Sequence, residues 1–546
     1  MSRIAFDQLI PAQQDVADSE ARTMLVLGGA GVGKTTTALW AARRELTEHG
    51  TRARPIAGGR VLFATFSRTA VGQIRNRAGG VLAGLGDAVE ILTFHGLAYR
   101  LLLAFGSCVG ISGVPTLLGE ARAKLAAAPG TGVTLTYDDL MPAALRLVEI
   151  DSPIAELVRS RWSLVICDEF QETDDMEWRL LQVLGERARL LLLADPNQMI
   201  YQFKKGVSEA RLDAARARPG VVGLTLPPGS HRDPTQVLPD AAADVRWRRF
   251  GTPAVRTAVE AGRLAVYSCV PDEDDERAEA IAKEIERLQA DGHSTIGVYA
   301  KTNSGAAGLS ASLTQQGVDH VPVGFSEAYG EALAAMSAMV HYAAGEEEWS
   351  AIGTALATVL TANVRSTKAP TLAVALHHGT GLPGQLATRF AQLQSALQEA
   401  GQDMDAATEI AVASWDGLGI TAGRRSWARA GRTFMSLAGR AQLDSTDPLG
   451  RLVRAARGAR DASFVELDAG DTGAIQLMNF SQTKGREADA AVLSYCSNDW
   501  YGPAAEPYDE ASRLLYVSMT RARNRVVVML PPNPHPLVAP FVDYAT

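Results

Sequence analysis

The stretch GGAGVGKT, at residues 28–35, lies between the apolar run MLVL and the helix-like segment TALWAARREL. It fits the pattern GxxxxGK[ST], in which glycines let backbone N–H groups curl around phosphate oxygens. The start of the following helix adds a dipole that favours an anion. Because this pattern needs a strand before it and a helix after it, it predicts a phosphate site in an α/β fold; a Gly-rich turn is the alternative.

Short apolar runs recur along the chain and alternate with helix-like segments. The first series is MLVLG, VLFATF, VEILTFH, LVICDEF and RLLLLAD, and the second is RLAVYSC, TIGVYAK, AIQLMNF, ADAAVLSYC and NRVVVML. This alternation predicts an α/β fold with two parallel sheets, each covered by helices on both faces. Residues 107–160 and 346–467 have a mainly helical character, so we predict that they are insertions into the two sheet domains.

Composition excludes some classes of protein. The 546 residues are 47% hydrophobic and 21% charged, as in an ordinary folded domain, and four widely spaced cysteines favour packing thiols over disulfides or zinc. The net charge of −8 argues against coating nucleic acid through bulk charge, but it allows a local basic groove. Without an apolar run of membrane length or a signal-peptide core, we expect a cytoplasmic protein with no membrane partner.

Two adjacent acids follow a buried strand in the sequence VICDEFQETDD. Asp168 and Glu169 would lie at the carboxyl edge of the sheet, where such folds bind ligands. Asp168 and the Thr35 hydroxyl can hold Mg²⁺, while Lys34 can bind the β- and γ-phosphates of a nucleotide. Glu169 can orient or deprotonate an attacking water. A solvated acidic turn is the alternative.

Eight motifs, one of which contains this acidic stretch, appear in the order found in superfamily 1 helicases. They are LIPAQQDVA, ATFSRTAVGQIRNR, LTFHGLAYRLL, CDEFQETDDMEW, LLLADPNQMIYQF, GSHRDPTQVL, NFSQTKGREADAAVL and EASRLLYVSMTRAR. Together they resemble the UvrD/Rep/PcrA type, of which this chain would be a compact member. The resemblance implies a DNA-dependent ATPase with ATP and Mg²⁺ between two RecA-like domains. It also implies 3′ to 5′ movement on single-stranded DNA and separation of 3′-tailed or forked duplexes.

The resemblance also implies a domain division. The predicted domains are residues 1–106 with 161–222 as the first RecA-like domain, 107–160 as its short helical insertion, 223–345 with 468–546 as the second RecA-like domain, and 346–467 as a reduced helical insertion.

The resemblance assigns nucleotide-site residues by their motif positions. The predicted catalytic residues are Lys34, Glu169, Gln198, Arg232 and Arg521; the predicted ATP-binding residues are Gln13, Gly28, Gly29, Ala30, Gly31, Val32, Gly33, Lys34, Thr35, Thr36, His231 and Glu487; the predicted metal ligands are Thr35 and Asp168. His231 and Thr36 stand where the family has tyrosine and arginine, which leaves base selectivity open. Lys484 could equally be a solvated turn residue.

The resemblance also implies a DNA interface at the family's DNA-contact motifs, where aromatic side chains lie beside cations and any base can stack on a ring. The candidates are Phe66, Arg68, Phe94, His95, Tyr201, Phe203, Lys204 and Ser481. An aromatic residue at a strand end can instead belong to the core. In the second insertion, Arg451, Arg454, Arg457 and Arg460 recur at spacing three, which fits either a phosphate-binding helix or a solvated face.

Three functions remain open on these grounds. The first is a helicase or single-strand translocase, in repair, recombination or genome defence. The second is a DNA-stimulated ATPase subunit of a larger nuclease-containing repair or phage-defence complex, with little unwinding alone. The short insertions, and our expectation that no nuclease domain follows the last strand, favour this alternative. The third, a small-molecule phosphotransferase, explains none of the later motifs.

Overall fold

The computed structural model describes residues 6–49, 60–111, 116–117, 121, 125, 134–135, 137–201, 206–322, 327–363, 369–442, 447–465, 474–501 and 508–545. The chain forms two compact units. The first unit is Met1–Leu101, Met141–Gly324 and Asp468–Thr546, and the second is Leu102–Leu140 and Phe325–Leu467. Both large sheets belong to the first unit.

The strands and helices have the following bounds. The strands are β1 (Thr23–Leu27), β2 (Val61–Thr65), β3 (Val89–Thr93), β4 (Thr116–Leu117), β5 (Thr134–Leu135), β6 (Leu164–Asp168), β7 (Arg189–Ala194), β8 (Val221–Thr225), β9 (Leu264–Tyr267), β10 (Ile296–Ala300), β11 (Val321–Pro322), β12 (Ile475–Asn479), β13 (Ala488–Ser494) and β14 (Ala522–Met529). The α-helices are Pro11–Asp18, Lys34–Arg44, Arg68–Val81, Phe94–Phe105, Tyr137–Glu149, Pro153–Arg159, Asp175–Leu184, Ala210–Arg216, Val237–Arg246, Pro253–Glu260, Asp274–Ala290, Asn303–Gln315, Glu327–Ala343, Trp349–Ala362, Thr371–His378, Gly384–Ala400, Met404–Leu418, Arg424–Gln442, Pro448–Val465 and Asp509–Met519.

Two six-stranded parallel sheets form the first unit. The strand order is β3-β2-β6-β7-β1-β8 in one sheet and β11-β12-β10-β13-β14-β9 in the other. The predicted fold class, two parallel α/β sheets with mainly helical insertions, is confirmed. In the first sheet Thr65 is in register with Asp168, and Leu27 with Ala194. The residues that follow β1, β6 and β7 therefore meet at one edge of the sheet.

Each sheet is held by its own apolar core. In the first sheet Phe63 of β2 is fully buried and packs with Ile166 and Leu193 under the helix Lys34–Arg44. In the second sheet Val298, Val492 and other β-branched side chains pack against the helix Asp274–Ala290. Because both faces of these strands are covered, their sequences are nearly continuous apolar runs rather than alternating patterns. These cores fix the strand ends from which the polar side chains of the site project.

The second unit is mainly helical in its described part, with one small parallel pair formed by β4 and β5. Its helices pack around two buried tryptophans, Trp415 and Trp427, whose rings stack with centroids 4.6 Å apart. The indole N–H of Trp415 donates to the Ala422 carbonyl, and that of Trp427 donates to the Val412 carbonyl. The stacked pair therefore meets the requirement that a buried polar group be hydrogen-bonded.

The predicted basic helix of the second insertion spans Pro448–Val465. Arg451 is exposed, and Arg454 is exposed while lying 3.4 Å from Asp447. The side chains of Arg457 and Arg460 lie outside the described residues. The two arginines that can be judged are thus on a solvated face, and phosphate binding there stays a prediction.

Two further expectations from composition can be compared with the structure. Among the described residues, no helix has both the length and the apolar character needed to cross a membrane. All four cysteines are free, and Cys167 is buried as expected for a packing thiol, whereas Cys269 is exposed. The packing interpretation is therefore wrong for Cys269.

Candidate nucleotide-binding site

The loop Gly28–Thr35 leaves the carboxyl end of β1 and enters the helix Lys34–Arg44. Gly31 and Gly33 have positive φ angles of 79° and 89°, a region that side chains disfavour. A Cβ atom on Gly33 would also lie 2.5 Å from Nε2 of Gln13. The loop is tied to the sheet because the Gly28 amide donates to the Ala194 carbonyl at 3.1 Å. These constraints explain the glycines and hold the start of the helix at the sheet edge.

Lys34 and Thr35 stand in the first turn of that helix. The Lys34 ammonium donates to the carbonyls of Gly28 (2.7 Å) and Gly29 (3.0 Å), so it lies over the loop. The Thr35 hydroxyl donates to Oδ2 of Asp168 at 3.0 Å. A point charge over a glycine-rich loop and the start of a helix are the groups that bind phosphates.

Thr35 and Asp168 form a pair of oxygen donors at the edge of the sheet. Burial and the neighbouring Glu169 charge raise the pKa of Asp168, although Lys34 acts in the opposite direction. A bound cation beside Asp168 would therefore stabilise its ionised form. The described residues contain no group of three or more His, Cys, Asp or Glu side chains that could hold a metal. The donor set fits Mg²⁺, which is usually held by one or two protein oxygens together with phosphates and waters, and does not fit a site made entirely of protein ligands.

Glu169 has a left-handed backbone, with φ 59° and ψ 38°. Its Oε2 accepts a hydrogen bond from Gln171 (2.5 Å) and lies 3.3 Å from the ammonium of Lys484. Burial acts to raise the pKa of Glu169, but Lys484 and Lys34 outweigh that effect and keep the pKa below its ordinary value. Glu169 is therefore ionised at neutral pH and able to accept a proton.

A chain of hydrogen bonds leads from Glu169 towards the second sheet. Oε1 of Gln171 accepts from the Asp195 amide at 3.0 Å, and Oδ2 of Asp195 accepts from Gln198 at 2.7 Å. Oε1 of Gln198 accepts from Arg521 at 3.2 Å, and Arg521 lies between the helix Asp509–Met519 and β14. Apart from Glu169, every residue of this chain of hydrogen bonds is at most 5% exposed. The chain joins the acids of the first sheet to a guanidinium of the second.

Arg521 and Arg232 bring two positive charges to the same cavity. Arg521 is 3% exposed and donates to the Val517 carbonyl at 2.9 Å. Burial, together with repulsion from Arg232, lowers the pKa of Arg521 to about 10. Arg232 donates to the Thr520 carbonyl at 2.5 Å and pairs with Glu487 at 2.7 Å. A bound anion between these guanidinium groups would relieve their mutual repulsion.

Glu487 is shared by three arginines. It lies 2.7 Å from Arg232, 3.0 Å from Arg77 and 3.0 Å from Arg523. Burial acts to raise the pKa of Glu487, but Arg232 and the other two arginines lower it to about 2. Arg77 belongs to the helix Arg68–Val81, which packs on the first sheet, so this cluster also crosses between the two sheets.

The predicted nucleotide residues largely line one cavity of about 480 Å³. Gln13, Gly28 and Ala30 do not line it. Gln13 is 1% exposed, and its amide bonds the Val32 carbonyl (2.9 Å) and the Ile10 amide (3.2 Å). The other predicted residues line the cavity: Gly29, Gly31, Val32, Gly33, Lys34, Thr35, Thr36, Asp168, Glu169, Gln198, His231, Arg232, Glu487 and Arg521.

Several residues of the site escaped the sequence reasoning. Arg77 and Arg523 hold Glu487, Gln171 and Asp195 link Glu169 to Gln198, and the Tyr516 hydroxyl accepts from the Ala30 amide at 3.2 Å. All five lie inside the quoted motifs, namely TFSRTAVGQIRNR, CDEFQ, LLLADPNQ and LLYVSMTRAR. Their positions inside motifs that were already assigned to the site could therefore have indicated them.

Lys484 is not a solvated turn residue. It is 6% exposed, and its ammonium lies 2.5 Å from Oε1 of Glu172 and 2.9 Å from the Gln198 carbonyl. Glu172 is fully buried and also accepts from the Ile200 amide at 3.0 Å. The two carboxylates Glu169 and Glu172 raise the pKa of Lys484 despite the opposing effect of burial. This buried cation ties the turn after β12 to the acidic strand end.

The predicted DNA residues fall into three groups. Phe66 and Tyr201 have ring centroids 4.9 Å apart, and the Tyr201 hydroxyl donates to the Ser481 carbonyl at 3.2 Å, so these three are brought together. His95 stands in the first turn of the helix Phe94–Phe105 and is partly buried. Phe94 is 1% exposed, and this burial leaves no ring face for a base. Phe203, Lys204 and the side chain of Arg68 lie outside the described residues.

Sequence comparison relates the chain to known proteins of the type that the motifs resemble. A family model described as an AAA domain matches residues 13–204. The ATP-dependent DNA helicase UvrD2 of Mycobacterium tuberculosis (strain ATCC 25618 / H37Rv) is 26% identical over 95% of this chain and 79% of its own length. UvrD1 of Mycobacterium leprae is 24% identical over 58% of this chain and 50% of its own length. RecB of the same M. tuberculosis strain is 42% identical, but over only 14% of this chain and 7% of its own length. The resemblance seen in the motifs is confirmed.

The Glu487 cluster makes stability depend on pH. Because the pKa of Glu487 falls from its ordinary value of 4.5 to about 2 on folding, its charge stabilises the protein above pH 4.5. That contribution is lost as the pH falls from 4.5 towards 2. We expect Glu487→Gln to lower the free energy of unfolding by about 1–3 kcal/mol at pH 7 and by much less near pH 2, measured by urea denaturation. Exposed Glu260→Gln is the control; an equal loss at both pH values would contradict the assignment.

Proposed function

We propose that this chain, which belongs to the superfamily 1 proteins of the UvrD/Rep type, hydrolyses ATP with Mg²⁺ to move on single-stranded DNA and separate duplexes. We propose a 3′ to 5′ direction and a role in repair, recombination or genome defence. The domain division predicted from the sequence is part of this proposal, with the two sheet domains as the motor. The observation that carries it is the hydrogen-bonded path from Glu169 to Arg521, since it links groups of both sheets in one cavity.

The cavity supplies the parts that phosphoryl transfer requires. The backbone amides of the loop and the Lys34 ammonium bind the phosphates of ATP, while Thr35 and Asp168 hold Mg²⁺. When bound, Mg²⁺ neutralises charge on the phosphate oxygens. Arg232 and Arg521 stabilise negative charge on the transferring group from the other side of the cavity.

Glu169 acts as the general base on the attacking water. Its carboxylate is ionised, and its Oε2 is held by Gln171 and Lys484, which restrict where that oxygen can lie. The water gives its proton to this carboxylate while its oxygen attacks the terminal phosphorus and the bond to the ADP oxygen breaks. The products are ADP and inorganic phosphate.

Hydrolysis is coupled to DNA through the contacts that surround Gln198. Its side chain bonds Arg521, its carbonyl bonds Lys484, and Tyr201 follows three residues later. Tyr201 in turn contacts Phe66 and the Ser481 carbonyl. A shift of Arg521 when the phosphate leaves would therefore be passed to the aromatic pair through one short segment. We place single-stranded DNA against this aromatic pair.

The central test replaces Glu169 with glutamine. Because the neutral amide cannot take the proton of the water, we expect ATP hydrolysis on single-stranded DNA to fall by about 10² to 10⁴ while nucleotide binding is kept. Hydrolysis is followed by phosphate release and binding by a fluorescent ATP analogue. The exposed Glu186→Gln variant serves as the control. Wild-type hydrolysis in Glu169→Gln would remove this residue from the mechanism.

Direction is tested with tailed duplexes. We expect the wild-type protein, with ATP and Mg²⁺ present, to displace one strand of a 3′-tailed duplex and to leave a 5′-tailed duplex intact. The displaced strand is separated from the duplex on a native gel. The Glu169→Gln protein should displace neither. Strong DNA-stimulated hydrolysis without displacement would instead support the ATPase-subunit alternative.

The DNA contact is tested at Tyr201. If a base stacks on this ring, Tyr201→Ala should weaken binding of single-stranded DNA by about 1–3 kcal/mol in fluorescence anisotropy. Tyr201→Phe keeps the ring and removes only the hydrogen bond to Ser481, so its affinity should stay close to that of the wild type. If Tyr201→Ala binds single-stranded DNA as tightly as the wild type, this side chain only packs in the protein and does not contact DNA.

A further inference from the structure

A second cavity in the first unit, of about 450 Å³, shares no lining residue with the nucleotide cavity. Three of its lining residues are Arg60, Arg75 and Arg100, and we call it the arginine cavity. Arg60 precedes β2, and Glu90, which also lines the cavity, is the second residue of β3. The cavity therefore opens at the amino edge of the parallel strands, whereas the nucleotide cavity lies at the carboxyl edge.

One carboxylate at the base of the arginine cavity is already neutralised. The Glu90 side chain is 6% exposed, and its Oε1 accepts from Arg161 through two nitrogens, at 2.8 and 3.0 Å. Arg60 and Arg100 approach the same carboxylate with one nitrogen each, at 3.5 and 3.3 Å. Since one paired guanidinium is enough to balance Glu90, the charges of Arg60 and Arg100 remain in excess.

Arg75 is the third guanidinium in this cavity. Its Nη2 donates to the Ile91 carbonyl at 3.4 Å, and within the described part of the chain it has no ion pair. Asp87 is the other acid that lines the cavity. Four guanidinium groups, those of the three arginines and Arg161, thus face two carboxylates. The formal charge of this group of side chains is therefore +2, although Arg60 and Arg100 share the Glu90 carboxylate with Arg161.

The shape and donors of the cavity fit a compact ligand. The Arg60 and Arg100 side chains are 42% and 58% exposed, and each guanidinium carries five N–H donors, of which these contacts use few. Apolar residues such as Leu82 and Ile91 form part of the lining. A nucleic-acid backbone would need cations spread along a groove, whereas here they converge on one concave site.

We propose that the arginine cavity binds a phosphate dianion, either inorganic phosphate or a terminal phosphomonoester. Such a group carries a charge of about −1.5 to −2 at pH 7 and three strong acceptor oxygens, which match two excess charges and several forked donors. Arginine binds phosphate through paired N–H groups, so convergent guanidinium groups favour phosphate over a single carboxylate. The group can belong to a free phosphate or to the phosphorylated end of a nucleic-acid strand.

A purely structural role explains only part of this cluster. The pairing of Glu90 with Arg161 joins β3 to the segment before β6, which accounts for those two residues. It gives no reason for Arg75, which among the described residues contacts a backbone carbonyl and no acidic side chain. Arg75 is therefore the position at which ligand binding and folding can be separated.

The test measures phosphate binding by isothermal titration calorimetry. It uses full-length Lys34→Ala protein, so that the nucleotide loop does not contribute. The probes are inorganic phosphate, a 5′-phosphorylated dinucleotide and the same dinucleotide with a 5′-hydroxyl. We expect adding Arg75→Ala to weaken binding of the phosphorylated probes at least tenfold. The matched control is Arg256→Ala, an exposed arginine that also bonds one carbonyl, that of Gly251.

The pattern of binding identifies the source of the phosphate. Binding of inorganic phosphate alone assigns a free-anion site, and binding of the phosphorylated dinucleotide as well assigns the end of a strand; both support the proposal. Equal binding of the hydroxyl and phosphorylated dinucleotides would overturn it, as would binding of neither phosphate probe or an equal loss in Arg256→Ala. With Lys34 intact, ATP hydrolysis by Arg75→Ala should match that of the wild type, which separates this site from the proposed motor function.

Discussion

The hydrogen bond between Arg521 and Gln198 is the contact on which the nucleotide site depends. It joins a buried cation of the second sheet domain to the chain of side chains that begins at Glu169. Arg521 is costly to bury, since its pKa falls to about 10 in a place that it shares with Arg232. Such an arrangement is stabilised when an anion enters, so a phosphate between Arg232 and Arg521 would be favoured.

The parallel sheets could be predicted from sequence because their strands are buried on both faces. Nearly continuous apolar runs such as RLLLLA and VVVM identify such strands without any need for alternation. Strand β8, VVGLT, was missed: it is an edge strand in which Val222 is 47% exposed, and Gly223 interrupts the apolar pattern. The two-residue strands β4, β5 and β11 are too short for any periodicity to mark them.

The candidate site could be predicted where residue type and strand position sufficed. The loop Gly28–Thr35, Asp168 and Glu169 follow directly from a glycine pattern and an acidic strand end. The contacts that hold them could not be predicted, because Arg77 and Glu487 are 410 positions apart, and the same is true of Lys484 and Glu172 at 312 positions. The burial of Phe94 could not be predicted either, because its place at the end of an apolar run does not show whether the ring faces the core or the solvent.

Because Glu169 has a left-handed backbone, substitutions at this position can either strain the fold or remove the carboxylate without strain. A residue with a branched Cβ would suffer there, because this conformation costs an ordinary side chain roughly 1–2 kcal/mol and β-branched ones more. Glycine or asparagine would sit there comfortably, yet neither brings a carboxylate. Substitutions that remove this carboxylate and leave the backbone unstrained are thus within one or two base changes of the parent codon, so loss of the carboxylate can occur without loss of folding.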